Sequence, residues 1–177
     1  MQVYIGRPKN EEGREKKEIR VYDLLDSLGM EYYRVDHTEA NTMQDCEKVD
    51  MALNTVLCKN LFLSNRQKTS FYLLMMPASK EFRTAVFSKI IGSSRLSFAD
   101  TDAMEKYLDV TPGSVSIMGL MNDKENNVQL VIDKDVLVPE HIGCHPCINT
   151  SSLKLKTDEI LNKYLPAVHH TPIIIEQ

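Results

Sequence analysis

The sequence has little of what marks several protein classes. Its four cysteines (Cys46, Cys58, Cys144, Cys147) are too few and too irregularly spaced to staple a chain of 177 residues. Seven glycines and seven prolines exclude a collagen-like or low-complexity chain. No apolar run approaches the ~20 residues needed to cross a bilayer. Residues Met1 to Asn10 carry neither an apolar h-region nor a small-residue cleavage site. These absences lead to the expectation of a cytoplasmic globular protein with no membrane partner. An excess of positive charge is also missing: the formal net charge is −4, which on its own argues against a nucleic-acid binder.

What is present is an ordinary globular composition, 42% hydrophobic and 26% charged. The length suits one domain (1–177) with a sizeable core. The mean charge hides an asymmetry. Between Lys59 and Arg95 stand seven basic residues and one acid, Glu81, a local +6. The remainder holds 14 basic and 24 acidic residues, a net −10. A basic face on an acidic body steers a polyanion to one place and repels it elsewhere; a run of solvated cations accounts for the count equally well.

Periodicity predicts an α/β fold. Ile19, Tyr22, Leu25 and Leu28 recur at helical spacing over Glu15 to Leu28, and Gly29 stops that helix. Glu31 to Val35 reads as a strand, and Thr42 as the cap of a helix to Leu53. Strands follow at Thr55 to Leu63 and Ser70 to Met76. Ser79 is expected to cap a helix through Ile91, which places Lys80 and Arg83 three apart on one helix face. Arg95 to Phe98 is strand-like, and Thr101 is expected to cap a helix to about Leu108. Thr111-Pro112-Gly113 makes a turn into a strand, Ser114 to Leu120, expected to pair as a hairpin with Val128 to Ile132. A strand at Leu153 to Leu155, a helix from Thr157 to Leu165 and a strand at Ile173 to Ile175 complete the chain. Strands and short helices mix without regular alternation, so the expected architecture is one compact domain, a mixed central sheet with surrounding helices.

Three segments can carry chemistry. Cys58-Lys59-Asn60 interrupts an apolar strand, and period two puts Leu57, Lys59 and Leu61 on one face, Cys58, Asn60 and Phe62 on the other. Both faces are largely apolar, so Lys59 and Asn60 are expected to be half-buried. An ammonium there needs a partner or a cleft, unless the lysine merely guards an edge strand. The second segment, Thr111 to Leu120, holds Gly113, Ser114, Val115, Ser116 and Gly119 in a loop whose backbone N–H groups can approach a ligand oxygen and stabilise an oxyanion. A plain Pro-Gly turn fits it too. The third, Gly143 to Thr150, contains Cys144 and Cys147 at C-x-x-C spacing without a second ligand pair for zinc and without the helix context of a redox motif. His145 within it can transfer or orient a proton near neutral pH, or be an exposed loop histidine.

Together these segments resemble the prolyl-tRNA editing family of aminoacyl-tRNA deacylases, the YbaK/ProX group. The matching stretches are C-K-N-L-F-L at Cys58 to Leu63, L-S-F-A at Leu96 to Ala99, T-P-G-S-V-S at Thr111 to Ser116 and H-P-C-I-N-T at His145 to Thr150, in that order. G-L-M-N-D-K at Gly119 to Lys124 and the chain length look more like the free-standing alanine-specific branch. The resemblance implies hydrolysis of the ester joining a mischarged amino acid, alanine in the first instance, to the terminal adenosine of tRNA(Pro). It needs no cofactor and no metal, and prolyl-tRNA synthetase is a further partner it suggests. By the same resemblance Lys59 contacts the tRNA terminus and His145 is the family histidine. Asn60 matches the adjacent family position, and the Gly113 to Gly119 loop matches the segment whose backbone lies close to the scissile carbonyl. The basic segment gains a use, with Lys80 and Arg83 expected to hold acceptor-stem phosphates. Ile117 replaces a proline common in relatives, which is expected to loosen the loop. Two alternatives stand beside this reading: a cysteinyl-tRNA(Pro) deacylase, and a non-catalytic tRNA-binding relative. His37 to Met43 is a candidate pocket wall.

Overall fold

The strand-forming runs assemble into two sheets. The computed structural model describes residues 1–39, 43–55 and 57–176. In chain order the first half runs β1 (Val3–Ile5), α1 (Lys16–Ser27), β2 (Tyr32–Asp36), α2 (Met43–Leu53), β3 (Lys59–Asn65) and β4 (Phe71–Met76). Then come α3 (Thr84–Ile90), β5 (Leu96–Phe98), α4 (Thr101–Ala103) with a π-helical turn Met104–Leu108, and a 3-10 helix at Ile117–Asn122. The chain closes with β6 (Val128–Asp133), β7 (His141–Cys144), β8 (Ser151–Lys156), α5 (Thr157–Glu159) with a π-helical turn to Tyr164, α6 (Leu165–Ala167) and β9 (Ile173–Ile175).

The central sheet is mixed, as expected, with order β5-β3-β4-β6-β9. Strands β5, β3 and β4 pair antiparallel; β4, β6 and β9 pair parallel. A second, antiparallel sheet, β1-β2-β8-β7, was not foreseen as separate. The two meet where Leu57 bridges Gly143 and the Cys58 N–H donates to the Gly143 carbonyl at 3.3 Å. The main core joins Tyr22 and Leu25 of α1 to Phe62, Leu73, Leu153 and Tyr164. Each such side chain contributes about 1.5–3 kcal/mol by leaving water. A smaller core of Leu63, Leu74, Phe87 and Val131 covers the other face of the central sheet. Strand β3 therefore alternates as predicted: Phe62 enters the main core, while Leu61 and Leu63 enter the smaller one.

Four expectations need correction. The helix thought to start at Ser79 begins at Thr84, because Lys80 is pulled out of any helical turn. Its ammonium lies 2.8 Å from both Asp133 and Asp135, and its carbonyl takes the Lys59 Nζ proton at 2.8 Å. Ser114 to Leu120 forms no strand; the Ser116 hydroxyl accepts the Met118 N–H and caps the 3-10 helix. No hairpin forms, since β6 runs parallel to β4. The Asp123 carboxylate gathers the intervening turn by accepting the N–H groups of Asn127 and Val128. Asp100, not Thr101, caps α4 through the Ala103 N–H. Beyond these, β1 and β7 were unanticipated. The proposed cap Thr42 and residue Val56 lie outside the described residues, as do positions 40 and 41 of the candidate pocket wall.

Candidate active site

Strand β3 carries the first segment. Lys59 pairs with Met76 of β4, while β5 pairs only with Leu63 to Asn65. Among the described residues the N-terminal end of β3 thus has no strand paired on its β5 side, and Lys59 and Asn60 are half-buried as expected. Lys59 turns toward Lys80 and lines a cavity of about 650 Å³ with Leu61, Phe82, Arg83 and Phe98. Asn60 points to the opposite face, donating Nδ2–H to the Cys58 carbonyl at 3.0 Å. Its Oδ1 is buried without a hydrogen-bond partner among the described residues. An acceptor left so costs about 1–3 kcal/mol, which a bound donor would recover.

The second segment is a tight turn. Gly113 has φ +87, a region glycine enters freely. With Pro112 before it and the Ser114 N–H donating to the Thr111 carbonyl at 3.0 Å, it forms a type II turn. The Ser114 hydroxyl donates to that same carbonyl and accepts the Thr111 N–H, so Ser114 is spent on the turn. The Gly119 N–H is spent as well, on the Ser116 carbonyl at 3.0 Å. Gly119 is there for packing: a Cβ would stand 2.8 Å from the Leu108 carbonyl oxygen. Ile117, at the family's proline position, is fully buried and its carbonyl accepts the Tyr164 hydroxyl at 2.8 Å. Packing thus holds the loop that its missing proline was expected to loosen. The N–H groups of Val115 and Ser116 have no protein acceptor among the described residues; Val115 is partly exposed and Ser116 is buried.

The third segment touches the second. The Ser116 hydroxyl donates to the His145 carbonyl, and Gly113 leaves room beside Asn149 Nδ2, 3.6 Å from where a Cβ would be. His145 Nδ1 faces the Ser151 carbonyl at 3.1 Å. A carbonyl only accepts, so Nδ1 carries the proton and Nε2 is left as a base. Burial pushes the His145 pKa down, and the nearby His37 pushes it further, against a smaller opposing effect of the Ser151 carbonyl. The neutral ring therefore predominates near pH 7. His37, on the candidate pocket wall, joins this arrangement through Ser152. Its Nδ1 donates to the Thr38 carbonyl at 2.7 Å, so its Nε2 accepts the Ser152 hydroxyl at 2.9 Å. Sequence reasoning gave His37 no such role and missed Ser152, because the contact spans 115 positions.

Cys144 and Cys147 are buried free thiols, and burial raises both, Cys147 to about 12. Thiolate chemistry is remote at such values. No hydrogen bond joins Lys59 to His145 among the described residues; the structure joins the loops at 113–119 and 143–150 directly, and Cys58 to Gly143 through the backbone. Lys80 and Arg83 do not share a helix face, since Lys80 precedes the helix and Arg83 stands at its N-cap position with no side-chain capping bond. Arg83 faces Glu81 at 3.0 Å on the surface. A further cavity, about 550 Å³, opens beside Leu57, Cys58, Pro77 and Val136, but neither His145 nor the Gly113 to Gly119 loop lines it.

Comparison with known proteins adds a family. Residues 37–163 match the model of the aminoacyl-tRNA editing domain. The chain is 31% identical over 136 residues to the prolyl-tRNA editing protein ProX of Acetoanaerobium sticklandii, covering 77% of this chain and 83% of that protein. It is 26% identical over 162 residues to the prolyl-tRNA synthetase associated domain-containing protein 1 of Danio rerio, covering 90% of this chain and 86% of that one. A crystal structure of a candidate trans-editing enzyme for prolyl tRNA synthetase superposes with a TM-score of 0.67 at 12% identity, over 92% of this chain and 98% of that one; at that identity the likeness speaks for the fold. With all three candidate segments inside residues 37–163, the chain belongs to the aminoacyl-tRNA editing domain family, in its YbaK/ProX-like prolyl-tRNA editing group.

Proposed function

We propose that this protein is a trans-acting hydrolase that removes the wrong amino acid from mischarged tRNA(Pro), with alanine as the principal acyl group. The observation that carries the reading is the pair of N–H groups at Val115 and Ser116 that have no protein acceptor among the described residues, on the loop that holds the His145 backbone. An ester is already activated, so the site needs an oriented water, a proton acceptor and an oxyanion site. Water attacks the acyl carbonyl and gives its proton to His145 Nε2, while the oxyanion rests on the Val115 and Ser116 N–H groups. Collapse breaks the bond to the ribose oxygen, which takes the proton back from His145, releasing the amino acid and free tRNA.

Lys59 contacts the tRNA terminus, and Lys80 serves it by fixing the ammonium with its carbonyl. Arg83 keeps the phosphate-binding role. Asn60 Oδ1 takes a hydrogen bond from the substrate, for which the α-ammonium of the aminoacyl group is a suitable donor. Gly113 lets the turn lie close to Asn149. A proline-sized synthetase pocket cannot strongly exclude the smaller alanine, since each missing methylene is worth only ~1–3 kcal/mol. A smaller second pocket then rejects proline by overlap. The test is a panel of alanyl-, cysteinyl-, seryl- and prolyl-tRNA(Pro). Fast release of alanine alone is expected; equal or faster release of cysteine would reassign the acyl group, and no release of any would refute hydrolysis.

A further inference from the structure

The basic segment Lys59 to Arg95 folds into β3, β4, α3 and β5, and its unpaired cations gather along the β5 edge. Phe98 ends β5 opposite Leu63 and is 60% exposed. One side of its ring is supported by Phe82, 5.9 Å away, which leans in turn on Phe87 at 5.9 Å. The other side is open. Phe98 is also the residue shared by two cavities: the one containing Lys59 and Arg83, and a second of about 530 Å³ lined by Asn65, Arg66 and Arg95. Lys68 of the second cavity is occupied by Asp100. Arg66 and Arg95 have no carboxylate partner among the described residues.

A sheet edge protected against aggregation carries charge and hides its aromatics. Here an exposed, braced phenyl ring sits beside two guanidinium groups that have no carboxylate partner among the described residues, the composition of a single-strand binding track in which bases stack on aromatic faces and cations follow the backbone. We propose that the β5 edge binds the single-stranded 3′ end of tRNA, with a nucleobase stacked on Phe98, phosphates on Arg66 and Arg95, and the terminus led past Arg83 to Lys59. The proposal rests on the editing reading for the identity of the RNA. The charge distribution supports it independently, because the local +6 is set in a chain that is otherwise −10 and repels polyanions elsewhere.

The test uses the full chain, fluorescein-labelled deacylated tRNA(Pro), and the same tRNA lacking its single-stranded 3′ end. Phe98→Ala should weaken binding of the intact tRNA about tenfold and leave the truncated one unaffected, while Phe98→Tyr keeps near-normal binding because the stacking face is retained. Arg66→Ala with Arg95→Ala should lower the log–log salt slope by about two. Circular dichroism checks that each variant is folded. Wild-type affinity for intact tRNA in Phe98→Ala, or an unchanged salt slope in the double variant, overturns the track and leaves Lys59-dependent hydrolysis standing. Phe98-dependent binding by a wild-type protein that hydrolyses no mischarged tRNA would confirm the track and remove the editing reading.

Discussion

The Ser152 hydroxyl stands between two histidines, 2.9 Å from His37 Nε2 and 3.4 Å from His145 Nδ1. Donor and acceptor assignments run one way along this chain. His37 Nδ1 is fixed as a donor by Thr38, so the Ser152 hydroxyl donates to His37 Nε2, and its oxygen is a second, more distant acceptor for the His145 Nδ1–H that donates to the Ser151 carbonyl at 3.1 Å. The result holds His145 in the tautomer whose Nε2 is a base. His37→Ala should therefore lower kcat for deacylation about tenfold with little change in KM, and Ser152→Ala should do the same, with the two effects less than additive in the double variant. Full additivity would show that the two residues act separately.

The pH profile follows from the same ring. Burial, with His37 beside it, holds His145 below the ordinary histidine value. Activity requiring neutral His145 should be flat above about pH 6.5 and fall only as pH drops through the lower, shifted value. A rate profile that still rises between neutral and mildly alkaline pH would exclude His145 as the proton acceptor.

Much of this site was legible in the sequence, and what was not has a common cause. Ile19, Tyr22 and Leu25 announced α1, and the apolar run Phe71 to Met76 announced β4, because each pattern is local. The C-K-N, T-P-G-S-V-S and H-P-C segments were legible as types of residue in an order. Distant pairing was not. The start of α3 is set by Lys80 meeting carboxylates 53 and 55 positions away. The parallel pairing of β6 is set by the partners it finds, and its alternation looks the same in either direction. The Ser116 cap and the His37–Ser152 contact likewise appear only once the chain has folded.

Gly119 tests a packing claim. A Cβ there would stand 2.8 Å from the Leu108 carbonyl and 2.9 Å from the Leu108 Cβ, neither of which can swing away. Gly119→Ala should destabilise the fold by about 1–3 kcal/mol, read as a lower midpoint in urea unfolding. It should also disturb the Val115–Ser116 donors, so activity falls at temperatures where the variant is still folded. Wild-type stability would show that the loop moves freely, contrary to the packing described.

Acid stability should depend on Asp36. Burial alone would raise its carboxyl, but hydrogen bonds from Arg14 and Arg34 outweigh that effect and hold it at about 2. The folded value lies below the unfolded one, so the stabilisation is complete above the unfolded value of about 3.9. It is lost as pH falls from there through about 2. Asp36→Asn should lower stability near neutral pH and flatten its pH dependence across that window, as measured by urea unfolding at a series of pH values. An unchanged slope would mean that the arginines find other partners.

Lys80 and Arg83 were paired by their spacing and are separated by their surroundings. The Asp133 carboxylate is fully buried and receives the Lys80 ammonium on both oxygens, at 2.9 and 2.8 Å. Removing the ammonium leaves a buried charge with the Asp135 N–H as its remaining donor among the described residues, which is strongly unfavourable. Lys80→Ala should thus lower Tm markedly, and adding Asp133→Asn should restore part of the loss by removing the orphaned charge. Its salt slope for tRNA binding should stay at the wild-type value, because an ammonium already held between two carboxylates displaces no phosphate counterion. Arg83→Ala should behave the opposite way, with unchanged Tm and a salt slope lower by about one. Arg83 has only an exposed, adjacent carboxylate to leave, and such a pair contributes little. A reduced salt slope in Lys80→Ala with an unchanged Tm would reverse the two assignments and return Lys80 to the phosphate.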